Sequence, residues 1–203
     1  MNSSEEQNLQ SGATPEIPET KETPPVTTKT WADLGLSADL LDQIAKAGYE
    51  RPTPVQAEAI PLAVEGRDLL ASAQTGTGKT AAFVLPIIER FKGKEGTFCV
   101  ILSPTREIAL QTQAVVAQFG KPHGLRSVSL IGGIDLKLDA AALQTYPQIL
   151  VATPGRLCDH LERGNVWLEL IRVVVLDEAD RMLDMGFADQ LSKIMNEVPE
   201  DRQ

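Results

Sequence analysis

The stretch that most constrains this chain is Ala73-Gln74-Thr75-Gly76-Thr77-Gly78-Lys79-Thr80. An apolar run, Asp68 to Ser72, precedes it and a helical pattern begins near Lys79, so it reads as a strand, a glycine turn and a helix start. Gly76 and Gly78 open backbone conformations closed to other residues and bring amides close to an oxyanion. The following helix directs unpaired N–H groups and its positive dipole end at the same point. In such a loop Lys79 reaches the β- and γ-phosphates, and the Thr80 hydroxyl ligates Mg2+. The usual pattern opens with glycine, where this chain has Ala73. Alone, the stretch also fits an ordinary glycine turn before a helix; the rest of the chain has to decide.

Composition narrows the setting. With 203 residues, 42% hydrophobic and 23% charged, the chain has length for one globular domain and a tail. A net charge of −9 argues against gripping nucleic acid through a broad basic face, so any such site is local. Cys99 and Cys158 lie in apolar patterns and read as small buried hydrophobes in a reduced compartment. His123 and His160 have no partner at ligand spacing, so no metal is assigned to them. The start lacks the features of a signal peptide, and no apolar run approaches the ~18 residues of a membrane span, which places the chain in the cytoplasm.

Residues 1–30 hold four prolines, five glutamates and almost no large apolar side chains, and are expected to be a disordered tail. The folded domain is expected over 31–203. Leu36, Leu40, Leu41 and Ile44 make one helical face with Ser37 as N-cap, and Gly48 ends it. Gln56 starts a second helix carrying Ile60. Strands are expected at Phe98–Ser103, Arg126–Ile131, Gln148–Ala152 and Ile171–Leu176, besides the one at Asp68–Ser72. Between them run helices with Ile108, Thr112, Val115 and Phe119 on one face, from about Asp135, from Thr153, and with Met182, Leu183 and Phe187. Strands alternating with helices predict the α/β class: a parallel sheet covered on both faces, with ligands beyond the carboxyl ends of its strands. Every polar motif falls at such an end.

Asp177-Glu178-Ala179-Asp180 follows an apolar strand, where a second carboxylate site belongs in a nucleoside-triphosphatase. Asp177 is placed to hold Mg2+, through water, and Glu178 to polarise the water that attacks the γ-phosphorus. At this point the sequence resembles the N-terminal half of a DEAD-box ATP-dependent RNA helicase, whose phosphate loop usually opens with alanine. Gly48 to Gln56, including Arg51, resembles the family's adenine-reading motif. Pro104-Thr105-Arg106-Glu107-Ile108-Ala109 resembles its first RNA-contact motif, with Ile108 where leucine is commoner; Gly132-Gly133 and Thr153-Pro154-Gly155-Arg156 resemble two more.

The resemblance implies a RecA-like domain that uses ATP and Mg2+. Gln56 would pair with adenine, and Trp31 would stack on the base from a position that is phenylalanine in most members; its other role is a core anchor for the first helix. Hydroxyls, glycine amides, Arg106 and Arg156 suit phosphates and sugars, so RNA binding would be independent of sequence. Asp180 would couple the domain to a second RecA-like domain. The resemblance places a strand ending in Ser-Ala-Thr after Gln203, inside the sheet between the phosphate-loop strand and the Asp177 strand. It then places the second domain with an arginine finger, so the domain is expected to be a monomer, incomplete at its C-terminus and nearly inactive alone. The same motifs serve an ATP-gated RNA clamp, and an interaction module is the third reading.

Overall fold

Four short apolar runs, Cys99–Leu102 (β1), Ser127–Leu130 (β2), Ile149–Ala152 (β3) and Val173–Leu176 (β4), pair in parallel in the order β2-β3-β1-β4. The structure is a computed structural model that describes residues 27–74 and 76–203. The tail expected over 1–30 lies outside the described residues as far as residue 26, and 27–30 carry no regular secondary structure before a 3-10 turn at Trp31–Leu34.

The central strands β1 and β3 are buried on both faces, β2 and β4 only in part, and a period of two sorts their side chains. Cys99, Ile101, Ile149 and Val151 join a core built with α3 (Lys79–Phe91) and α4 (Arg106–Gly120), where Val84, Leu85, Ile88, Val116 and Phe119 are essentially sealed from solvent. Val100, Leu102, Leu150 and Ala152 point the other way, onto Leu157 of α6 (Pro154–Glu162) and Ile194 of α8 (Ala188–Glu197). Each fully buried aliphatic or aromatic side chain contributes about 1.5–3 kcal/mol, so these two layers hold the sheet level. The expected α/β sheet flanked by helices is therefore present.

Four local expectations are refined. The helix at Ser37 runs as α1 (Ala38–Lys46), with the Ser37 hydroxyl donating to Glu89 across the domain instead of capping its own helix. The second helix, α2 (Pro54–Val64), starts two residues before Gln56 and continues through Pro61. The pattern around Met182 is two helices, α7 (Ala179–Asp184) and α8, broken where Gly186 takes φ +80°. In α4 the sealed stripe is Ala109, Thr112, Val116 and Phe119, one step round from Ile108 and Val115, which stay half-buried.

One expected strand is missing. Asp68–Ser72 leads into the glycine loop without strand pairing among the described residues, and Leu69 and Leu70 are exposed. An extended segment becomes a strand only when a neighbour satisfies its backbone. Gln203 begins such a neighbour: its carbonyl accepts from Val174 N, its amide donates to Arg172 O, and its side chain donates to Arg67 O, each within 2.7–2.9 Å. It thus bridges the outer edge of β4 and the chain leading to the loop, while Leu176 farther along that edge is exposed. A polypeptide strand continuing from Gln203 between β4 and Asp68–Ser72 is expected to raise the melting temperature, by about 2–4 °C for each kcal/mol gained. Equal melting temperatures with and without it would contradict this account of the edge.

Candidate functional site

The glycine loop is held from behind by α2. Gln56 is 4% exposed, and its amide makes two bonds: Oε1 accepts from Thr53 N at 2.9 Å, and Nε2 donates to Gly78 O at 3.0 Å. The first bond satisfies an N-terminal amide of α2; the second fixes the last glycine of the loop, which takes φ +87° as the N-cap of α3. A Cβ on Gly78 would stand 2.3 Å from Gln56 Nε2, so the position requires glycine for space as well as for conformation. The loop closes on itself through Thr77 Oγ1 donating to Gln74 O and the Lys79 ammonium donating to Ala73 O. Thr75 lies outside the described residues.

Above the loop opens a cavity of about 550 Å³, lined by Trp31, Tyr49, Arg51, Gln56, Gly78 and Thr80. That volume lies in the range of a small-molecule site. The Trp31 ring is 9% exposed and stacks on Tyr49 with centroids 6.2 Å apart, so it anchors the core and lines the cavity together. Its indole Nε1 is buried with no partner among the described residues. A buried orphan donor beside a loop of amides and a lysine fits an anionic, hydrogen-bonding guest such as a nucleotide.

The two acids close the site from the end of β4, the strand at the sheet edge nearest the loop. Asp177 follows β4 directly, its amide donating to Leu102 O. Its carboxyl is held above the ordinary range, chiefly by burial and then by Glu178, while Lys79 and the Thr112 hydroxyl pull it back. A divalent cation would add positive charge against that carboxylate beyond what Lys79 gives, with Thr80 as the hydroxyl ligand. Glu178, at the N-cap position of α7, takes φ +53°, the left-handed region that a side-chain-bearing residue rarely adopts. Its Oε2 accepts from Arg181 Nη1 at 3.3 Å. Such strain is held only where surroundings over-determine it, and it clusters at working sites. Asp180 is exposed, and its Oδ1 accepts from the Arg181 amide.

The remaining motif residues follow β1, β2 and β3 along the same carboxyl edge. Pro104 is buried, Thr105 caps α4 by accepting from Ile108 N, and Arg106 is exposed. The Arg106 guanidinium lies over the second glycine of the Gly132-Gly133 turn: a Cβ on Gly133, φ +83°, would stand 2.2 Å from its Nη1. Thr153 stands at the N-cap position of α6 without a side-chain cap bond, with Pro154 in the first turn and Gly155 half-buried. Arg156, by contrast, turns into the fold and pairs with Asp139 at 2.8 Å. Sequence reading missed the partners Thr53, Tyr49 and Thr112, and a buried cluster of Asp139, His160 and Asn165. The signal for that cluster was Asp139 four residues after the N-cap Asp135 of α5 (Leu136–Leu143), on the face that meets α6. Among the described residues no cluster of metal-ligating side chains forms and no helix is long and apolar enough to cross a membrane.

Residues 53–203 match the protein family described as DEAD/DEAH box helicase. An ATP-dependent RNA helicase, CshA, of Limosilactobacillus reuteri is 48% identical over 174 residues, which is 85% of this chain and 35% of that protein. The ATP-dependent RNA helicase DBP10 of Meyerozyma guilliermondii is 48% identical over 177 residues, 86% of this chain and 19% of its own length. The crystal structure of a DEAD box protein from the hyperthermophile Methanococcus jannaschii superposes with a TM-score of 0.82 at 36% identity, covering 86% of this chain and 48% of that one. The chain thus spans about a third or less of the two curated relatives.

The raised Asp177 carboxyl makes a stability prediction. An unfolded aspartate ionises near 3.8, so above that pH the folded chain holds more protons and stability falls as pH rises through the folded pKa. Asp177→Asn is therefore expected to melt higher than the unsubstituted chain at pH 7, the gap closing as pH falls towards 3.8. A lower melting temperature for Asp177→Asn at pH 7 would contradict it.

Proposed function

This chain belongs to the DEAD/DEAH box helicase family, and on that premise we propose that it is the ATP-binding, RNA-contacting domain of an ATP-dependent RNA helicase. The observation that carries the reading is the cavity of about 550 Å³ whose lining joins Arg51 and Gln56 to Gly78 and Thr80 of the glycine loop. Asp177, far along the sequence, lies close enough for the Lys79 charge to act on its half-buried carboxyl. An amide-lined loop, a lysine, a helix-start threonine and an acid pair in one place are the parts phosphoryl transfer needs.

In this reading the cavity takes ATP. Loop amides from Gly76 to Lys79 and the Lys79 ammonium receive the phosphates, with Lys79 leaving the Ala73 carbonyl to do so. Gln56 uses one hydrogen and one lone pair on Thr53 and Gly78, and its remaining valences face adenine. Trp31, Arg51 and Tyr49 wall the base. Thr80 and Asp177 would hold Mg2+, which would supply positive charge to offset that of the phosphates. Glu178 orients the attacking water and takes its proton as the γ-phosphorus–oxygen bond to ADP breaks, yielding ADP and phosphate. Asp180 passes the state of the site to a second RecA-like domain, which supplies the arginine that completes the transition-state charge.

RNA lies along the same edge. The Gly132-Gly133 amides, the Thr105 and Thr153 helix starts, Pro104, Pro154, Gly155 and Arg106 meet phosphates and sugars, so recognition is of backbone and not of bases. A few such groups on one edge let a chain of net charge −9 bind RNA. The protein is assigned to the cytoplasm as a monomer, with domain boundaries at 31–203.

RNA-stimulated ATP hydrolysis by a protein carrying both domains tests the proposal. Glu178→Gln is expected to lower turnover by about 10²–10⁴-fold with ATP still bound, and the 203-residue chain alone to turn over little or not at all. Robust RNA-stimulated turnover by this chain alone, or full activity in Glu178→Gln, would overturn it.

A further inference from the structure

Arg156 belongs to the motif that pointed to RNA, yet its guanidinium faces inward. Its Nε donates to Asp139 Oδ2 at 2.8 Å and its Nη2 donates to the Ile134 carbonyl. Asp139 is 4% exposed, and the same Oδ2 meets His160 Nε2 at 3.2 Å. His160 is fully buried, and its Nδ1 lies 3.1 Å from the Asn165 side-chain nitrogen. With that amide donating, Nδ1 accepts, and the neutral ring carries its proton on Nε2, aimed at Asp139. A chain of bonds thus runs from Asn165 through His160 to Asp139, which accepts from both His160 and Arg156, and from Arg156 on to the carbonyl of Ile134. That residue ends the glycine turn on which Arg106 rests.

We propose that Asp139, His160 and Asn165 are positioning residues for RNA binding, with Arg156 as the strut through which they fix the Gly132–Ile134 turn. The inference rests on the RNA reading above. Stability alone does not call for such a cluster, since well-packed apolar side chains stabilise an interior as well as a buried ion pair or better. Hydrogen bonds, unlike apolar contacts, set direction. Here they hold a turn whose amides and neighbouring Arg106 must match the spacing of a phosphate backbone. Losing one link tilts the turn and leaves the nucleotide loop, built on α2 and α3, where it was.

The test measures affinity for a single-stranded RNA oligonucleotide and for ATP with Mg2+, together with the amide resonances of Gly132 and Gly133. Asp139→Asn and His160→Leu are expected to lose about fivefold or more in RNA affinity while ATP affinity stays within about twofold, and to shift both glycine resonances. His160→Gln, whose amide still donates to Asp139, should recover most of the RNA affinity. Should Asp139→Asn fail to fold, Asn165→Ala in its half-buried loop carries the comparison, with a loss of about two- to threefold. The proposal is overturned if folded His160→Leu and Asn165→Ala bind RNA unchanged, if RNA and ATP affinities fall together, or if the glycine resonances do not move. Failure of the unsubstituted chain to bind RNA defeats the RNA reading instead, and the resonance shifts then still decide whether the cluster sets the turn.

Discussion

The structure depends on the pairing of β1 with strands on both of its sides. Leu102 stands opposite Ala152 of β3 and opposite Leu176 of β4, and Ala152 stands opposite Leu130 of β2. Parallel strands in that register end at one level, so the residues that follow them leave the sheet side by side. Thr105, Gly132, Thr153 and Asp177, dispersed through the sequence, become neighbours on one edge for this reason alone. Apolar cores on both faces keep the register, because a one-residue slip would turn every strand side chain to the wrong face.

Much of this was legible in the residues themselves. β1, β3 and β4 are continuous apolar runs of β-branched and aliphatic residues, and the prolines and acids that follow them mark the strand ends. The Asp68–Ser72 strand was not recoverable by the same logic. Its apolar pattern is present, but pairing is a property of two segments, and Gln203 provides only the first residue of a partner. Side-chain direction was hidden too. Nothing in Thr153-Pro154-Gly155-Arg156 says that the arginine turns inward; that follows from Asp139 meeting it across α5 and α6, a contact between distant parts of the chain.

The site gives up stability for chemistry at several points. Asp177 carries a carboxylate in a half-buried place that raises its pKa. Glu178 sits in a left-handed conformation. Lys79 is bonded to a carbonyl of its own loop. A cation bound against Asp177 would offset the first of these costs, so binding there would stabilise the folded chain. Gln56 links that gain to the base: one amide braces the loop from behind and lines the cavity where adenine would lie.

The most direct measurement is a calorimetric titration of the chain with ATP and with GTP, each with Mg2+, alongside Gln56→Ala. The account predicts that ATP binds and GTP does not at matched concentrations, and that Gln56→Ala weakens ATP by about tenfold or more, since it removes both the brace and the base contact. Equal binding of ATP and GTP, or ATP binding unaffected in Gln56→Ala, would contradict it.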